Sequence, residues 1–310
     1  MVDLKIQLPD GFLDEEVRCD YLVTHEMKKA WAVMLDLLAE FDRVCRKYDI
    51  KYFASGGTML GAVRHKGFIP WDDDIDVMME RKDYERLCEI GPSEFRHPYF
   101  LQNKYTDPEC CDIMSKLRNS DTTSLFGLEK NGFMNYNKGI FIDIFPLDSI
   151  PTDQAEQDAF YDELNEELQR MYRKGRSYGI FTEESRPLQR FIKKTVHSLL
   201  SWRRKFFIEG FWDACRSYER LCQKYNDTET PLFTTIQFRL DRSDIKYKSD
   251  YAETILMDFE FLKIPVGKNY DHGLRVRYGD NYMEFIKGAS CHSGISFDTD
   301  KSYLDSLVSG

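Results

Sequence analysis

At 310 residues the chain is long enough for one large domain or two small ones, and 42% apolar with 31% charged residues is a globular composition. A net charge of −10 excludes a general nucleic-acid binder, which would be basic. Eight cysteines without C-x-x-C or zinc spacing, and a start without a basic-then-apolar leader, predict a reducing, cytoplasmic setting, and no apolar run approaches a membrane span.

Residues 1–20 predict a short strand and an acidic turn, with Thr24 placed to cap a helix. Met27, Trp31, Met34, Leu38, Phe41, Cys45 and Tyr48 recur at alternating four and three, the pattern of an amphipathic helix covering a sheet. Lys51 to Ala54 reads as a short strand. Ser55-Gly56-Gly57-Thr58 follows as a turn that opens a short helix. Glycine lets the backbone approach a ligand closely, and free N–H groups at a helix start favour phosphate. Arg64, His65 and Lys66 close that helix, either matching its dipole or reaching substrate phosphates. Gly67 and Pro70 then carry the chain to Asp72, Asp73, Asp74 and Asp76. In an extended strand Asp74, Asp76 and Met78 share one face, and Ile75, Val77 and Met79 the other. Carboxylates side by side repel unless a cation lies between them, and hard oxygen ligands suit Mg²⁺ or Mn²⁺.

Tyr84 to Ile90 is expected to be helical, and Tyr99 to Lys104 a strand. The run from Ile113 to Arg118 alternates, so Lys116 and Arg118 point together, as a phosphate clamp or as a solvated strand edge. Asn131-Gly132 is a hairpin signal leading to residues 139–145. There Ile140, Ile142 and Ile144 form one face, and Asp143 sits alone among apolar residues on the other, where it needs a partner or a metal. Pro146 and Pro151 mark a boundary. Residues 152–230 read as helical: 152–172 acidic and solvated, 186–208 basic and amphipathic, 211–225 a further helix. The basic stretch holds seven Lys or Arg and no acid, which suits an anionic membrane surface or an ordinary helix packed on the core. Beyond Pro231, Phe238, Arg239, Lys246 and Tyr247 are expected to border a pocket. Residues 257–261 predict a strand, 270–278 a helix ending near Gly279, and the polar tail from Lys287 loose structure in part.

A glycine turn, a D-x-D on one strand and a lone Asp on another resembles the layout of the nucleotidyltransferase fold. More closely, GGTMLGAVRHKGFIPWDDDIDV is similar to the signature of the LicD family, the phosphocholine transferases related to the fukutin-type proteins. GIFIDIFPLD (139–148) and IPVGKNYDHGLRVRYGDNYM (264–283) are similar to that family's second and C-terminal motifs. The resemblance implies an α+β fold: a nucleotidyltransferase-like mixed sheet with packed helices. It is divided as a core (1–151), a helical insertion (152–230) and a C-terminal part completing the core (231–310). It implies metal-dependent transfer of phosphocholine, or a similar phospho-alcohol, from CDP-choline or a related CDP-alcohol donor to a hydroxyl of a cell-surface glycan precursor, a glycan or lipid-linked glycan. Asp74, Asp76 and Asp143 would be the catalytic and metal residues, with Mg²⁺ or Mn²⁺ between them. Ser55, Gly56, Gly57, Thr58, Arg64, His65, Lys66, Lys116 and Arg118 would hold the donor. Trp71, Tyr99, Tyr136 and Tyr278 are candidates for a choline cage. The expected partners exclude nucleic acid and include peripheral contact with the inner membrane surface. Two other readings stay open: transfer of NMP from an NTP, and a non-catalytic binding protein.

Overall fold

The apolar stripe read between Met27 and Tyr48 lies on helix α1 (His25–Lys47), where Trp31, Met34, Leu38, Phe41 and Cys45 are all buried. Thr24 caps it, its hydroxyl accepting from the Met27 amide at 3.3 Å. The computed structural model describes residues 1–108, 110, 112–125, 136–177, 201–236, 242–286, 288 and 295–308, with only the backbone at 176–177, 201–208 and 306–308.

Before α1 comes a hairpin of β1 (Glu16–Arg18) and β2 (Tyr21–Val23). After it follow β3 (Phe53–Ala54), α2 (Gly56–Arg64), β4 (Asp76–Glu80), α3 (Arg81–Glu94), β5 (Tyr99–Gln102), β6 (Ser115–Asn119), β7 (Thr123–Leu125) and β8 (Ile140–Ile150). Two long helices, α4 (Gln154–Ser177) and α5 (Ser201–Cys222), lead to β9 (Leu232–Thr235) and β10 (Lys246–Tyr247). The chain ends with the hairpin β11 (Thr254–Phe259) and β12 (Leu262–Gly267), then α6 (Tyr270–Tyr278), β13 (Ser296–Asp298) and α7 (Tyr303–Val308).

The main sheet is mixed and is built around β8. One edge of β8 pairs in parallel with β4; the other pairs antiparallel with β6 over its first half and with β9 over its second. Outside these lie β3, β5 and β10. The fold is therefore α+β. Ile140, Ile142 and Ile144 join Ile75, Val77, Met79 and Leu117 in the core under α1. On the opposite face Met78, Phe145 and Leu147 pack with Phe53, Phe233 and Tyr251. The period-two reading of the two strands assigned these faces correctly.

Three expectations change. Residues 152–172 are not a solvated helix throughout, because Phe160, Leu164, Leu168 and Met171 form a stripe that packs on Phe211, Cys215 and Tyr218 of α5. Strand β6 is no solvated edge, since β5 and β8 flank it. The tail is docked where it is described: Ser296–Asp298 pairs with β7, and the Tyr303 amide donates to the Thr122 carbonyl at 3.0 Å. Backbone pairing of this kind needs no apolar side chains, so polarity alone concealed it. Asn131-Gly132, residues 186–200, Phe238 and Arg239 lie outside the described residues.

A buried ion pair ties the sheet to α5. Arg81 donates from Nε and Nη2 to the two Asp148 oxygens at 2.8 and 2.6 Å. Asn226 donates to Asp148 at 2.8 Å, and Glu219 of α5 accepts from Arg81 at 3.4 Å. Asp148 is fully buried, so removing its cation leaves a charge without compensation. Arg81→Met is expected to lower stability by about 3–5 kcal/mol in chemical denaturation, and adding Asp148→Leu to restore most of the loss.

Candidate active site

The glycine turn and the start of β4 hold each other. The Ser55 amide donates to the Asp76 carbonyl at 3.0 Å, and the Asp76 amide donates to Thr58 Oγ1 at 2.8 Å. Gly56 has a φ of +50°, in the left-handed region that glycine adopts readily. A Cβ there would lie 3.4 Å from Asp76 Oδ2, and one on Gly57 would fall 2.5 Å from Asp72 Oδ2. The absence of side chains at this turn thus lets carboxylates stand directly against the start of α2.

The carboxylates converge through strand register. Asp76 pairs with Asp143 across the parallel β4–β8 ladder, Asp143 with Lys116 across β6, and Lys116 with Gln102 across β5. Lys116 Nζ donates to Asp143 Oδ1 at 2.5 Å and lies 3.6 Å from Asp112. Burial disfavours the Lys116 ammonium, but Asp143 and Asp112 more than offset this and raise its pKa above the ordinary lysine value. Burial, followed by the charges of Asp74, Asp143 and Asp72, pushes the Asp76 carboxyl well above the usual range, and Lys116 offsets only part of this. In the loop before β4, one oxygen each from Asp72, Asp73 and Asp74 lies within 4.8 Å of the others.

This set fits a hard divalent cation. Its donors are all carboxylate oxygens, and its negative charge exceeds what Lys116 neutralises at Asp76. Of the expected trio Asp74, Asp76 and Asp143, only Asp74 belongs to the group whose oxygens lie within 4.8 Å of one another, while Asp76 and Asp143 face each other through strand register.

Other predicted residues are placed differently. Lys116 and Arg118 do point together, as the alternation predicts, and both lie over the Phe141 ring, at 4.1 and 4.7 Å. Both are engaged inside the sheet, however. Arg118 donates to Gln102 Oε1 at 2.5 Å and to the Gly139 carbonyl at 2.7 Å, so the clamp reading is corrected to a sheet-internal role. Buried cations on an interior strand must be paired, and the sheet supplies the partners.

Arg64, His65 and Lys66 are not brought to the carboxylates. They close the nine-residue α2, about 13 Å from the glycine turn at its start. Arg64 Nη1 donates to the carbonyls of Tyr282 and Glu284 at 2.8 and 2.9 Å. Burial, with Arg64 and Arg18 beside it, lowers the His65 pKa to about 4. With Lys66 they line a separate cleft shared with Arg18, Glu260 and Phe285.

The cation that stands at the glycine turn is one the sequence reading passed over. Arg277, near the end of α6, donates from Nη1 to Asp244 at 2.5 Å. Its Nη2 lies 3.8 Å from the point where Gly56 would carry a Cβ. Its position inside the 264–283 tract was the available signal. Lys246 is joined to the same anchor, 2.7 Å from Asp244 Oδ1, whereas Tyr247 is exposed. Of the aromatic candidates, Tyr99 is buried in the main core with its hydroxyl on Asp36, Trp71 packs edge-on to Tyr21, and Tyr136 lies under Lys138. Tyr278 is partly exposed; burial, with contributions from Asp72 and Asp76, pushes its phenol up to about 12.

The raised pKa of Asp76 means that folding favours its protonated form. Stability from this group is present below about pH 4, the ordinary carboxyl value, and is lost as pH rises towards the folded-state value. In EDTA at pH 7, Asp76→Asn is therefore expected to be more stable than the parent by about 1 kcal/mol or more. Mg²⁺ should raise the melting temperature of the parent and leave the variant nearly unmoved; calorimetry with and without the metal checks both.

The family description "LicD/FKTN/FKRP, nucleotidyltransferase domain" matches residues 49–172, a span that includes the glycine turn, the Asp cluster and Asp143. The lipopolysaccharide cholinephosphotransferase LicD of Haemophilus influenzae is 34% identical over 131 residues, 41% of this chain and 46% of that protein. An uncharacterised protein of Rickettsia prowazekii is 42% identical over 65 residues, 21% of this chain and 24% of that protein. A second, from Rickettsia typhi, is 30% identical over 125 residues, 39% of this chain and 36% of that protein. The chain thus spans less than half the length of each of these curated relatives. The turn, the acidic strand and the second carboxylate strand all lie inside the span, residues 49–172, that is similar to the nucleotidyltransferase domain of the LicD family.

Proposed function

We propose that the protein transfers phosphocholine, or a similar phospho-alcohol, from a CDP-linked donor to a hydroxyl of a cell-surface glycan precursor. The observation that carries this reading is the register that sets Asp76 beside Asp143 next to the glycine turn. It lies in a domain similar to a protein named for cholinephosphate transfer to lipopolysaccharide.

In the proposed step the acceptor oxygen attacks the phosphorus that carries choline. The new O–P bond forms as the bond to the bridging oxygen of the cytidine nucleotide breaks, and CMP leaves with that oxygen. The backbone of Gly56 and Gly57 cradles the diphosphate at the start of α2. Thr58 fixes that turn to β4 through its bond with the Asp76 amide. Asp143 takes the proton of the acceptor hydroxyl, and Lys116 holds its carboxylate by a hydrogen bond from the neighbouring strand. A divalent cation bound by Asp74, Asp76 and Asp143 would supply charge neutralisation at the phosphoryl oxygens. Tyr278 supplies an aromatic face beside the carboxylates for the quaternary ammonium. Everything else is positioning, which is most of what phosphoryl transfer requires.

Transfer of NMP from an NTP would use the same carboxylates, and the matched family's description as a nucleotidyltransferase domain keeps that reading in view. Incubation with CDP-choline, CTP or ATP, Mg²⁺ and a glycan acceptor separates them. Release of CMP from CDP-choline supports the proposal; release of pyrophosphate from CTP or ATP supports the rival. Asp143→Asn is close to isosteric and is expected to keep the fold and donor affinity while lowering kcat roughly 10²- to 10⁴-fold.

Peripheral contact with an anionic membrane, through the basic stretch 186–208, belongs to the same proposal. Among the described residues no helix is long and apolar enough to cross a membrane. Replacing Lys193, Lys194, Arg203 and Arg204 with Glu is expected to abolish binding to anionic vesicles in sedimentation at low salt, while CMP release from soluble donor is unchanged.

A further inference from the structure

The cations that the sequence offers for substrate phosphate are occupied or distant. Lys116 neutralises Asp143, Arg118 holds Gln102 and the Gly139 carbonyl, and Arg64 holds two backbone carbonyls at the far end of α2. A nucleotide diphosphate at the glycine turn still requires a positive partner. Arg277 stands there, delivered from more than a hundred residues beyond the matched domain.

Its placement is built, not incidental. Asp244 is buried and accepts from three elements at once: Thr235 Oγ1 of β9, Lys246 Nζ at 2.7 Å, and Arg277 Nη1 at 2.5 Å. This fixes one arm of the guanidinium. The other arm, Nη2, lies 3.8 Å from the Gly56 Cβ position, while Asp76 Oδ2 approaches that position to 3.4 Å; the guanidinium also shares a side-chain hydrogen bond with Tyr278. The Arg277 side chain keeps 40% exposure, so a ligand in the site can reach it. A planar guanidinium held by one edge offers its remaining donors in a fixed fork, the geometry that suits phosphate oxygens. Arg275, two residues earlier on α6, is directed elsewhere: it bonds Asp271 and Asp280 at 2.7 and 3.1 Å.

We infer that Arg277 binds a phosphate oxygen of the nucleotide at the glycine turn, with Asp244 as the residue that positions it. This rests on reading the site as a phosphoryl-transfer centre, but not on which donor it uses. Arg277 Nη2 and Asp76 Oδ2 flank the same point on the helix start, so a phosphate there would meet the guanidinium.

The test is calorimetric binding of CDP-choline, CDP, CTP and ATP in the presence of Mg²⁺. Arg277→Gln is expected to weaken whichever of these bind by roughly 10- to 100-fold, the loss of one charge-assisted contact. Arg277→Lys, which keeps the charge but not the fork, should fall between. Asp244→Asn should weaken binding less than Arg277→Gln, and the double variant should be no worse than Arg277→Gln alone, since Asp244 acts through Arg277. The melting temperature of each variant shows that it is folded. If the parent binds CTP or ATP but not the CDP compounds, and Arg277→Gln weakens that binding, the inference stands and the phosphocholine reading fails. If Arg277→Gln and Arg277→Lys bind like the parent, Arg277 is not a ligand contact. If the parent binds none of the four, both are overturned.

Discussion

The parallel register between β4 and β8 sets two carboxylates on neighbouring strands at the same height, Asp76 against Asp143. Like charges at that spacing oppose folding, and much of the surrounding structure answers them. Lys116 closes the row on the far side of Asp143, and the opposite face of both strands is filled with isoleucine, valine and methionine under α1. The glycine turn adds backbone without side chains, so that the acids lie against a helix start and not against a hydrocarbon wall. Carboxylates gathered in this way suit a ligand that brings positive charge and takes hard oxygen donors.

Strand β8 serves two neighbours on one edge. Its first half pairs with β6 and presents Asp143; its second half pairs with β9 and buries Asp148 against Arg81. The site and the joint to the α4–α5 helices therefore sit on one continuous strand, on alternate faces. Asp143 and Asp148 are both buried acids on that strand, and their partners distinguish them. Asp148 has a bidentate guanidinium and an amide, the satisfaction expected of a structural charge. Asp143 has one ammonium and a second carboxylate beside it.

What could be read from sequence was what depends on short periods. Alternation placed Asp76 and Asp143 on the face away from the core, and the heptad-like spacing in α1 gave its buried stripe, because neighbouring residues alone determine those faces. Arg64 to Lys66 were drawn towards the site by closeness in sequence to the glycines. A nine-residue helix carries them to its opposite end, where backbone carbonyls of residues 282 and 284 take the Arg64 guanidinium. Arg277 escaped for the converse reason: its partners are Asp244 and the glycine turn, which no local pattern links to α6. The acids of α4 masked a stripe from Phe160 to Met171 whose counterpart lies on α5, and the tail masked a strand whose partner is β7. In each case the missing information was a contact distant along the chain.

The order in which the chain emerges during synthesis gives that distance a further meaning. Strand β4, with its acids, appears well before β8, and parallel pairing cannot form through a tight turn; it waits for the intervening α3, β5, β6 and β7. Lys116 arrives on β6 before Asp143 does, so a positive charge is already at hand when the second carboxylate must be buried. The Asp244–Arg277 anchor comes later still, from β9, β10 and α6. A nascent chain therefore exposes its acidic loop first, gains a counter-charge next and places Arg277 at the glycine turn last. The contacts around the glycine turn are complete only once the chain has been made through residue 277.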